Sequence, residues 1–591
     1  MSDAIERAKK FLSEEQAFRL GELITESAHR KTEMLSETAR GDVSGCIRLL
    51  QSVDEDIPPV VKDVFEQDTF EQLVEAFFNA LNSGRRIFFT GCGATGRLSI
   101  LLEAAWRRFW RDARDQHSKI ASIAGEMEDR VFSVMAGGDF ALIKSVEGFE
   151  DFPEFGRHQL RQAGVQPGDI VVAITEGGET PFVIGTASHG LEAGADVFFV
   201  YNNPTDMLRR YVQRSREVIE EPRIRKLDLT TGPMAITGST RMQAVTTELL
   251  IVGSALETAL IQFVQRILPV SDSAGLPLHI PSGEDHHELF VRLLAQLSSP
   301  AAVDAMASIT EFEESIYRQR GLVTYMADSA LLDVLTDTTE RSPTFMVPPF
   351  CKHGDRCGVQ SWAFVKNPFL LTQEAWRDML QREPRGLDWG PAVYEQLKAP
   401  PGLRARPPRL DNAELYKFRI GKEPDPSRTD AADSALVIVG VGGETEALIE
   451  TSLERFCGRY KKTATIIIGQ SSAASHTDEL FHLHCSLPTS PLQLLDHLAI
   501  KLVLNTISTA TMVRMGRVVG NAMVWLSPSN KKLIDRGSRL ISQVTKCTYE
   551  EACIALHQTM EEVESRLQQA EEVPSPVALA IERISMKRGK S

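Results

Sequence analysis

The chain has 591 residues, of which 42% are hydrophobic and 25% charged, with 40 Gly and 29 Pro. This is ordinary globular usage, long enough for several domains, and it excludes a collagen, coiled-coil or disordered chain. The 80 Asp and Glu outnumber the 65 Lys and Arg, which gives a formal net charge of −15, and no basic run stands out. We therefore expect no nucleic-acid partner and no membrane partner.

Targeting and cysteine patterns indicate a soluble, cytoplasmic protein. The first 15 residues lack the apolar core of a signal peptide, and the longest apolar stretch, 249–264, is interrupted by Glu257 and Gln262. Eight scattered cysteines are too few for a disulfide scaffold and indicate a reducing compartment.

One group of soft ligands, Cys351, His353 and Cys357, lies within seven residues. Its spacing matches neither paired CxxC motifs nor an HExxH helix, so an ordinary polar loop is favoured over a metal site. We predict no metal and no cofactor.

Short apolar runs alternate with helical patterns in the first half of the chain, which is typical of a parallel α/β sheet. Because each run is almost continuously Val, Ile or Phe, both faces of the sheet are expected to be covered by helices. The predicted strands are 86–90, 131–135, 169–175 and 196–201.

An internal repeat extends this pattern to the second half. The sequence 170–180 is a strand that runs into Gly-Gly-Glu-Thr, and it returns at 435–445. The strand start at 85–91 likewise overlays on 320–326. A period of this kind predicts two α/β domains of one type in tandem.

The predicted domain organisation follows from this repeat, from a Pro/Gly/Ser-rich linker and from a purely helical pattern near the C-terminus. A Pro/Arg-rich stretch, 398–408, is expected to be an exposed insertion in the second domain. The predicted units are an N-terminal helical segment (1–60), a first α/β domain (61–267), a linker (268–288), a second α/β domain (289–530) and a helical lid with a tail (531–591).

Two loops at predicted strand ends are candidate phosphate sites. The loop 90–96, Thr-Gly-Cys-Gly-Ala-Thr-Gly, and the loop 175–180, Thr-Glu-Gly-Gly-Glu-Thr, each precede a helix. Backbone N–H groups at helix N-termini and nearby hydroxyls bind phosphates, and open α/β folds bind ligands at this edge. The alternative for the first loop is a glycine turn that only lets the strand and helix pack.

Five motifs carry a resemblance to a known family, and they span most of the chain: 91–97, 136–139, 146–151, 237–242 and 501–510. They resemble the SIS (sugar isomerase) domain family, in the branch shared by N-acetylmuramic acid 6-phosphate etherase and glucokinase regulatory protein. The resemblance implies two tandem SIS domains, each a flavodoxin-like three-layer αβα fold with a parallel sheet, plus a small C-terminal helical lid.

The resemblance also implies two glutamates on opposite sides of one composite site. Glu150 matches the first, and the position of the second holds Ala105 in domain one but Glu340 in domain two. Domain two has lost the phosphate loop, since 326–330 stands where 91–95 stands in domain one. The alternative is that Glu340 is an exposed helix carboxylate. The expected phosphosugar-binding residues are Gly91, Gly93, Thr95, Thr175, Gly177, Thr180, Ser239 and Lys501.

The sequence is compatible with two functions. The tandem architecture favours a sugar-phosphate-binding regulatory protein, a monomer that mimics an SIS homodimer, with a hexose or amino-sugar phosphate as ligand and a sugar kinase as candidate partner. The alternative is an etherase-type carbon–oxygen lyase, or an isomerase, with Glu150 and Glu340 as an acid/base pair. Gly177 replaces an etherase Ser, and Glu176 and Glu179 could repel phosphate, act on the sugar or point to solvent.

Overall fold

The computed structural model describes residues 3–588 except 147, 269–275, 277, 279–285, 356–358, 457, 472–476 and 567–573. Most of the predicted linker therefore lies outside the described residues. Five helices precede the first sheet, and the last four of them pack against the two α/β domains. The five are α1 (Asp3–Glu14), α2 (Leu35–Gly41), α3 (Val43–Asp54), α4 (Ile57–Phe65) and α5 (Asp68–Asn82).

The first sheet has five strands: β1 (Ile87–Gly91), β2 (Val131–Met135), β3 (Ile170–Thr175), β4 (Asp196–Tyr201) and β5 (Ile224–Asp228). The order is β2-β1-β3-β4-β5, and every neighbouring pair is parallel. This is the flavodoxin-like strand order. Its helices are α6 (Ala94–Gln116), α7 (Ser118–Glu128), α8 (Pro153–Gln162), α9 (Pro181–Glu192), α10 (Thr205–Tyr211), α11 (Gln213–Glu220) and α12 (Gln243–Ile267).

Two helices, α13 (His286–Leu297) and α14 (Pro300–Arg318), lead into a second sheet, which repeats the same plan. Its strands are β6 (Leu322–Met326), β7 (Ala363–Lys366), β8 (Ser434–Val441), β9 (Lys462–Ile468) and β10 (Glu479–Leu483). The order β7-β6-β8-β9-β10, again all parallel, is the flavodoxin-like order. The other helices are α15 (Leu331–Phe345), α16 (Thr372–Leu380), α17 (Pro391–Gln396), α18 (Pro401–Ala405), α19 (Asn412–Leu415), α20 (Pro426–Thr429), α21 (Thr445–Phe456) and α22 (Leu494–Arg514).

Three helices form the C-terminal cap: α23 (Lys531–Thr545), α24 (Tyr549–Arg566) and α25 (Pro576–Arg588). Helix α1 packs against α24 through Ala8, Phe11 and Cys553, so the N-terminal helix contacts the C-terminal cap. The predicted fold class, two parallel α/β domains of one type with a helical cap, is confirmed.

The four strands predicted in the first half are confirmed as β1 to β4, but three edge strands escape the sequence pattern. Strand β5 reads Ile-Arg-Lys-Leu-Asp, β7 has only four residues, and β10 reads Glu-Leu-Phe-His-Leu. The edge strands β5 and β10 are partly exposed, so polar residues interrupt their apolar runs, whereas β7 is buried but too short to give a clear pattern.

Helix α12 occupies the centre of the molecule. By length and composition it could cross a membrane, but 89% of its most apolar window is buried inside the protein. It packs against α5, α6 and α22, which makes it a core helix shared by the two domains.

The insertion between β7 and β8 is only partly exposed: the stretch 398–408 is mostly exposed, as predicted, whereas residues on either side of that stretch are buried. Its residues Trp389, Tyr394 and Leu410 are buried in the same cluster as Phe149 and Phe155 of domain one. The Trp389 ring stacks on Phe149 with centroids 5.6 Å apart. These aromatic and apolar side chains form a buried surface on the insertion, and this surface attaches the insertion to the first domain.

Candidate functional site

A cavity of about 210 Å³ lies at the carboxyl ends of β1 and β3, between the first domain, α15 of the second domain and α23 of the cap. We call it the first cavity. The five predicted site residues that line it are Gly93, Glu150, Thr180, Ser239 and Glu340. The structure thus places side chains from both domains around one space, as a composite site requires.

The glycine loop between β1 and α6 is shaped by close backbone contacts. A Cβ at Gly91 would come within 2.4 Å of the Thr95 backbone, and Gly93 has φ +57°. The Thr95 hydroxyl accepts a hydrogen bond from Cys92 N–H and donates one to Cys92 O, both at 3.0 Å. Gly91 and Thr95 therefore lie behind the cavity wall and hold the loop, while Gly93 reaches the surface of the cavity.

The second predicted loop is arranged similarly. The hydroxyl of Thr175 donates to that of Thr180 at 3.1 Å, and the carbonyl of Gly177 accepts from the Asn203 amide at 3.0 Å. Thr175 is fully buried, and among these residues Thr180 alone lines the first cavity. Thr175 and Gly177 are therefore placed to position the loop.

Lys501 lies next to the first cavity in a small space of about 40 Å³ that it shares with Glu340. Its ammonium donates to the carbonyls of Arg241 and Met242 at 2.6 and 3.3 Å, and to the Asn505 side chain at 3.1 Å. Burial lowers the pKa of Lys501 to about 8. Its described contacts support the segment that precedes α12.

Four cations line the first cavity that sequence reasoning did not assign: Arg97, Arg241, Lys532 and Arg536. Arg97 and Arg241 stand inside two of the family motifs, so the signal was present in the sequence. Lys532 and Arg536 come from α23, about 440 residues after the glycine loop, and no local pattern links them to it.

Two of the guanidinium nitrogens of Arg241 make no hydrogen bond to the described residues. Its Nη2 donates to Asp337 and to Ser508, each at 2.6 Å. Its Nε is 3.8 Å from Glu340 Oε2, too long for a hydrogen bond, and within the described parts of the chain neither Nε nor Nη1 has a hydrogen-bond partner. An unpaired buried N–H costs about 1–3 kcal/mol, so these donors favour an anion in the cavity.

The two glutamates occupy different environments. Glu340 is buried, which raises its pKa, while Arg97, Arg241 and Lys501 oppose that rise. Glu150 accepts a hydrogen bond from Asn530 of the cap at 2.7 Å, and its other oxygen is 3.6 Å from the Cys92 sulfur. The alternative of Glu340 as an exposed helix carboxylate does not hold. Two carboxyl groups in unlike surroundings can divide acid and base roles.

The loop glutamates have separate roles. Burial raises the pKa of Glu176, which lines the first cavity, to about 7. Glu179 is 1% exposed and pairs with Arg214 and Lys532, each at 2.5 Å. Burial alone would raise the pKa of Glu179, but Lys532 and Arg214 lower it to about 2. Glu179 thus anchors the cap to the second loop rather than pointing to solvent.

Because Glu179 anchors the cap through ion pairs, we expect the stability of the protein to fall at acidic pH. Because the folded pKa of Glu179 is about 2 against an ordinary 4.5, its stabilisation is complete above pH 4.5 and is lost as the pH falls toward 2. We expect the thermal midpoint to fall less steeply between pH 5 and pH 3 in Glu179→Gln than in the wild type. The exposed-residue control Glu37→Gln should keep the wild-type slope, and equal slopes in all three proteins would contradict the prediction.

In the part of the chain that the structure describes, no group of three His, Cys, Asp or Glu side chains is placed to hold a metal ion. Cys351 is partly buried, and burial raises the pKa of its thiol. Cys357 of the candidate group lies outside the described residues.

Comparison with known proteins places these features in a family. A family model of the glucokinase regulatory protein N-terminal SIS domain matches residues 70–190. An N-acetylmuramic acid 6-phosphate etherase of Mycolicibacterium smegmatis is 30% identical over 229 residues, which cover 39% of this chain and 67% of the etherase. The etherase of Bacillus subtilis is 28% identical over 227 residues, 38% of this chain and 65% of the relative. The chain spans about two thirds of the length of these relatives.

Solved structures give weaker matches over a longer range. Tagatose-6-phosphate ketose/aldose isomerase from Escherichia coli aligns with a TM-score of 0.42 and 10% identity, over 84% of this chain and 96% of the isomerase. The C-terminal domain of glucosamine-fructose-6-phosphate aminotransferase from Francisella tularensis has a TM-score of 0.39 and 11% identity, over 76% and 96%.

Proposed function

Because this chain belongs to the SIS (sugar isomerase) domain family, in the branch of N-acetylmuramic acid 6-phosphate etherase and glucokinase regulatory protein, we propose that it is a cytoplasmic sugar-phosphate-binding regulatory protein. The ligand is a hexose phosphate or an amino-sugar phosphate, bound in the first cavity. The observation that carries the proposal is the set of unpaired donors on buried Arg241 beside three further cations.

The phosphate is held by the glycine loop and by these cations. Gly93, Thr180 and Ser239 supply backbone N–H groups and hydroxyls from domain one, while Arg241 and Lys532 supply charge. This arrangement explains how a chain with a net charge of −15 takes an anion, since the local charge of the cavity differs from that of the whole.

The regulatory role follows from the three parts that meet at the ligand. Domain one contributes the loops, domain two Glu340 and the cap Asn530 and Lys532. A ligand that contacts all three binds the closed arrangement better than an open one, and it shifts the population toward the closed arrangement. A partner protein that binds only the closed arrangement, such as a sugar kinase, would then respond to the phosphosugar. A single chain that contains both SIS domains would perform this as a monomer.

A second function, an etherase-type lyase, is favoured by one specific observation: Glu150 and Glu340 line the same cavity in unlike environments. Elimination of lactate from N-acetylmuramic acid 6-phosphate needs a base for the C2 proton and an acid for the oxygen that leaves C3. Glu340, whose pKa is raised by burial, suits the acid, and Glu150, which accepts a hydrogen bond from Asn530, suits the base. An aldose–ketose isomerase would use the same pair for proton transfer.

One sample series separates the two functions. Proton NMR of the full chain with N-acetylmuramic acid 6-phosphate follows lactate release, while fructose 6-phosphate and glucosamine 6-phosphate are screened for line broadening. We expect broadening without lactate, which supports the sensor. Lactate that disappears in Glu150→Gln and Glu340→Gln but persists in the exposed-residue control Glu311→Gln would establish the lyase instead. No broadening and no turnover with any of the three would refute both.

A further inference from the structure

A second cavity, of about 480 Å³, lies at the carboxyl ends of β6, β8 and β9 in the second domain. Its floor is formed by the loops after these strands, with Ser329, Gly443 and Gln470. Arg108 and Asp112 of α6 enter it from domain one. None of these residues belongs to the first cavity.

The second cavity is the counterpart of the first with the domains exchanged. Gly91 and Met326 end equivalent strands, and Arg108 follows Gly91 by the same 17 positions by which Pro343 follows Met326. Pro343 of α15 lines the first cavity, and Arg108 of α6 lines the second. The two cavities therefore occupy equivalent places in the sequence repeat, each between the two domains.

The charges of the second cavity differ from those of the first. Its charged lining residues are Arg108, Asp112, Asp496 and His497. His497 Nδ1 is 3.0 Å from Asp333 Oδ2, so its charge is already paired. Burial raises the pKa of Asp496 to about 6. One arginine facing two aspartates makes the lining neutral to acidic, which disfavours a phosphate dianion.

The uncharged groups suit a polyol. The amides of Gln470 and Gln493 offer donors and acceptors to hydroxyl groups, and Leu487 and Ile500 offer apolar surface to the C–H face of a ring. Acidic side chains beside them accept hydrogen bonds from neutral hydroxyls and attract an ammonium group.

We propose that the second cavity binds an unphosphorylated sugar, either a neutral hexose or an amino sugar. The ligand class follows from the balance of charges: the four cations of the first cavity outnumber its three glutamates, whereas in the second cavity two aspartates outnumber the one arginine. The proposal does not depend on the first cavity, which is assigned to the phosphorylated form.

A substitution at Gly443 can block the second cavity without disturbing the fold. A Cβ built there meets no atom within 4 Å, the residue is exposed, and its φ lies outside the left-handed region. Gly443→Leu therefore places a side chain in open space without backbone strain. Gly390, just before α17 and outside both cavities, also has nothing within 4 Å of a built Cβ, so Gly390→Leu is the matched control.

The test is saturation-transfer NMR of the full chain with glucose, glucosamine and N-acetylglucosamine, alone and with excess glucose 6-phosphate. We expect saturation transfer to at least one sugar that survives the phosphosugar. The apparent affinity should fall at least about tenfold in Gly443→Leu and remain unchanged in Gly390→Leu.

Three results with the unphosphorylated sugars would overturn the proposal. They are no transfer to any of the three sugars, a signal that glucose 6-phosphate displaces, and a signal that Gly443→Leu leaves intact. A phosphosugar signal removed by Gly443→Leu would overturn the ligand class, because the cavity would then be an anion site. Failure of phosphosugars to bind the wild type would count against the function of the first cavity alone.

Discussion

Arg241→Met is expected to weaken phosphosugar binding about 100-fold, because charged hydrogen bonds contribute about 1.5–3 kcal/mol each and two unpaired donors are lost. The measurement is the ligand-dependent rise of the thermal midpoint, or calorimetry with fructose 6-phosphate. Asp337 keeps its bonds to Arg341 Nε and Nη2 at 3.0 and 2.8 Å, so the fold should survive the change.

Two further variants make this prediction specific. Arg241→Lys keeps the charge but loses the guanidinium fork, and it should restore only part of the affinity. Arg266→Met removes an exposed arginine from the far end of α12 and should bind like the wild type. Full affinity in Arg241→Met would remove this arginine from the phosphosugar site.

Arg382→Met is expected to destabilise the protein by about 3–5 kcal/mol, the usual result of breaking a buried ion pair by removing one partner. Arg382 comes from the insertion in domain two, yet it donates to Glu103 at 3.1 Å and to Asp139 at 2.5 and 3.1 Å in domain one. Its removal leaves both carboxylates with one cation fewer in a buried place. Chemical denaturation measures the loss.

The control for Arg382 lies in the same insertion. Arg404 is exposed on α18, and Arg404→Met should change the unfolding free energy by less than about 0.5 kcal/mol. If Arg382→Met proves equally silent, the insertion is not held to domain one by this cluster, and the aromatic contact of Trp389 must hold it instead.

The repeat and the strand pattern could be predicted from the sequence because they are local. An apolar run followed by Gly-Gly-Glu-Thr requires only neighbouring residues, and it located β3 and β8 together with the loops behind them. The glycine loop is equally local, since Gly91 and Gly93 are needed where backbone atoms approach closely or φ is positive. Family motifs also predicted that Glu150 and Glu340 share one site.

The structure decided which of these residues reach the first cavity. Thr95 and Thr175 belong to the predicted loops, but their hydroxyls bond within those loops and do not line the space. A loop motif fixes which residues are near a ligand, while the rotation of each side chain depends on packing that the motif does not contain.

The sequence by itself determined two α/β units of one type, their strand ends and the glycine loop, because period and backbone sterics act over a few residues. Only the tertiary structure decided that Lys532 of the cap pairs with Glu179, and that Arg382 of the insertion pairs with Asp139. These partners lie 353 and 243 positions apart. Such pairs form where elements that are distant in the sequence bury opposite charges against each other. The sequence alone does not show which Arg or Lys of the chain pairs with a given carboxylate.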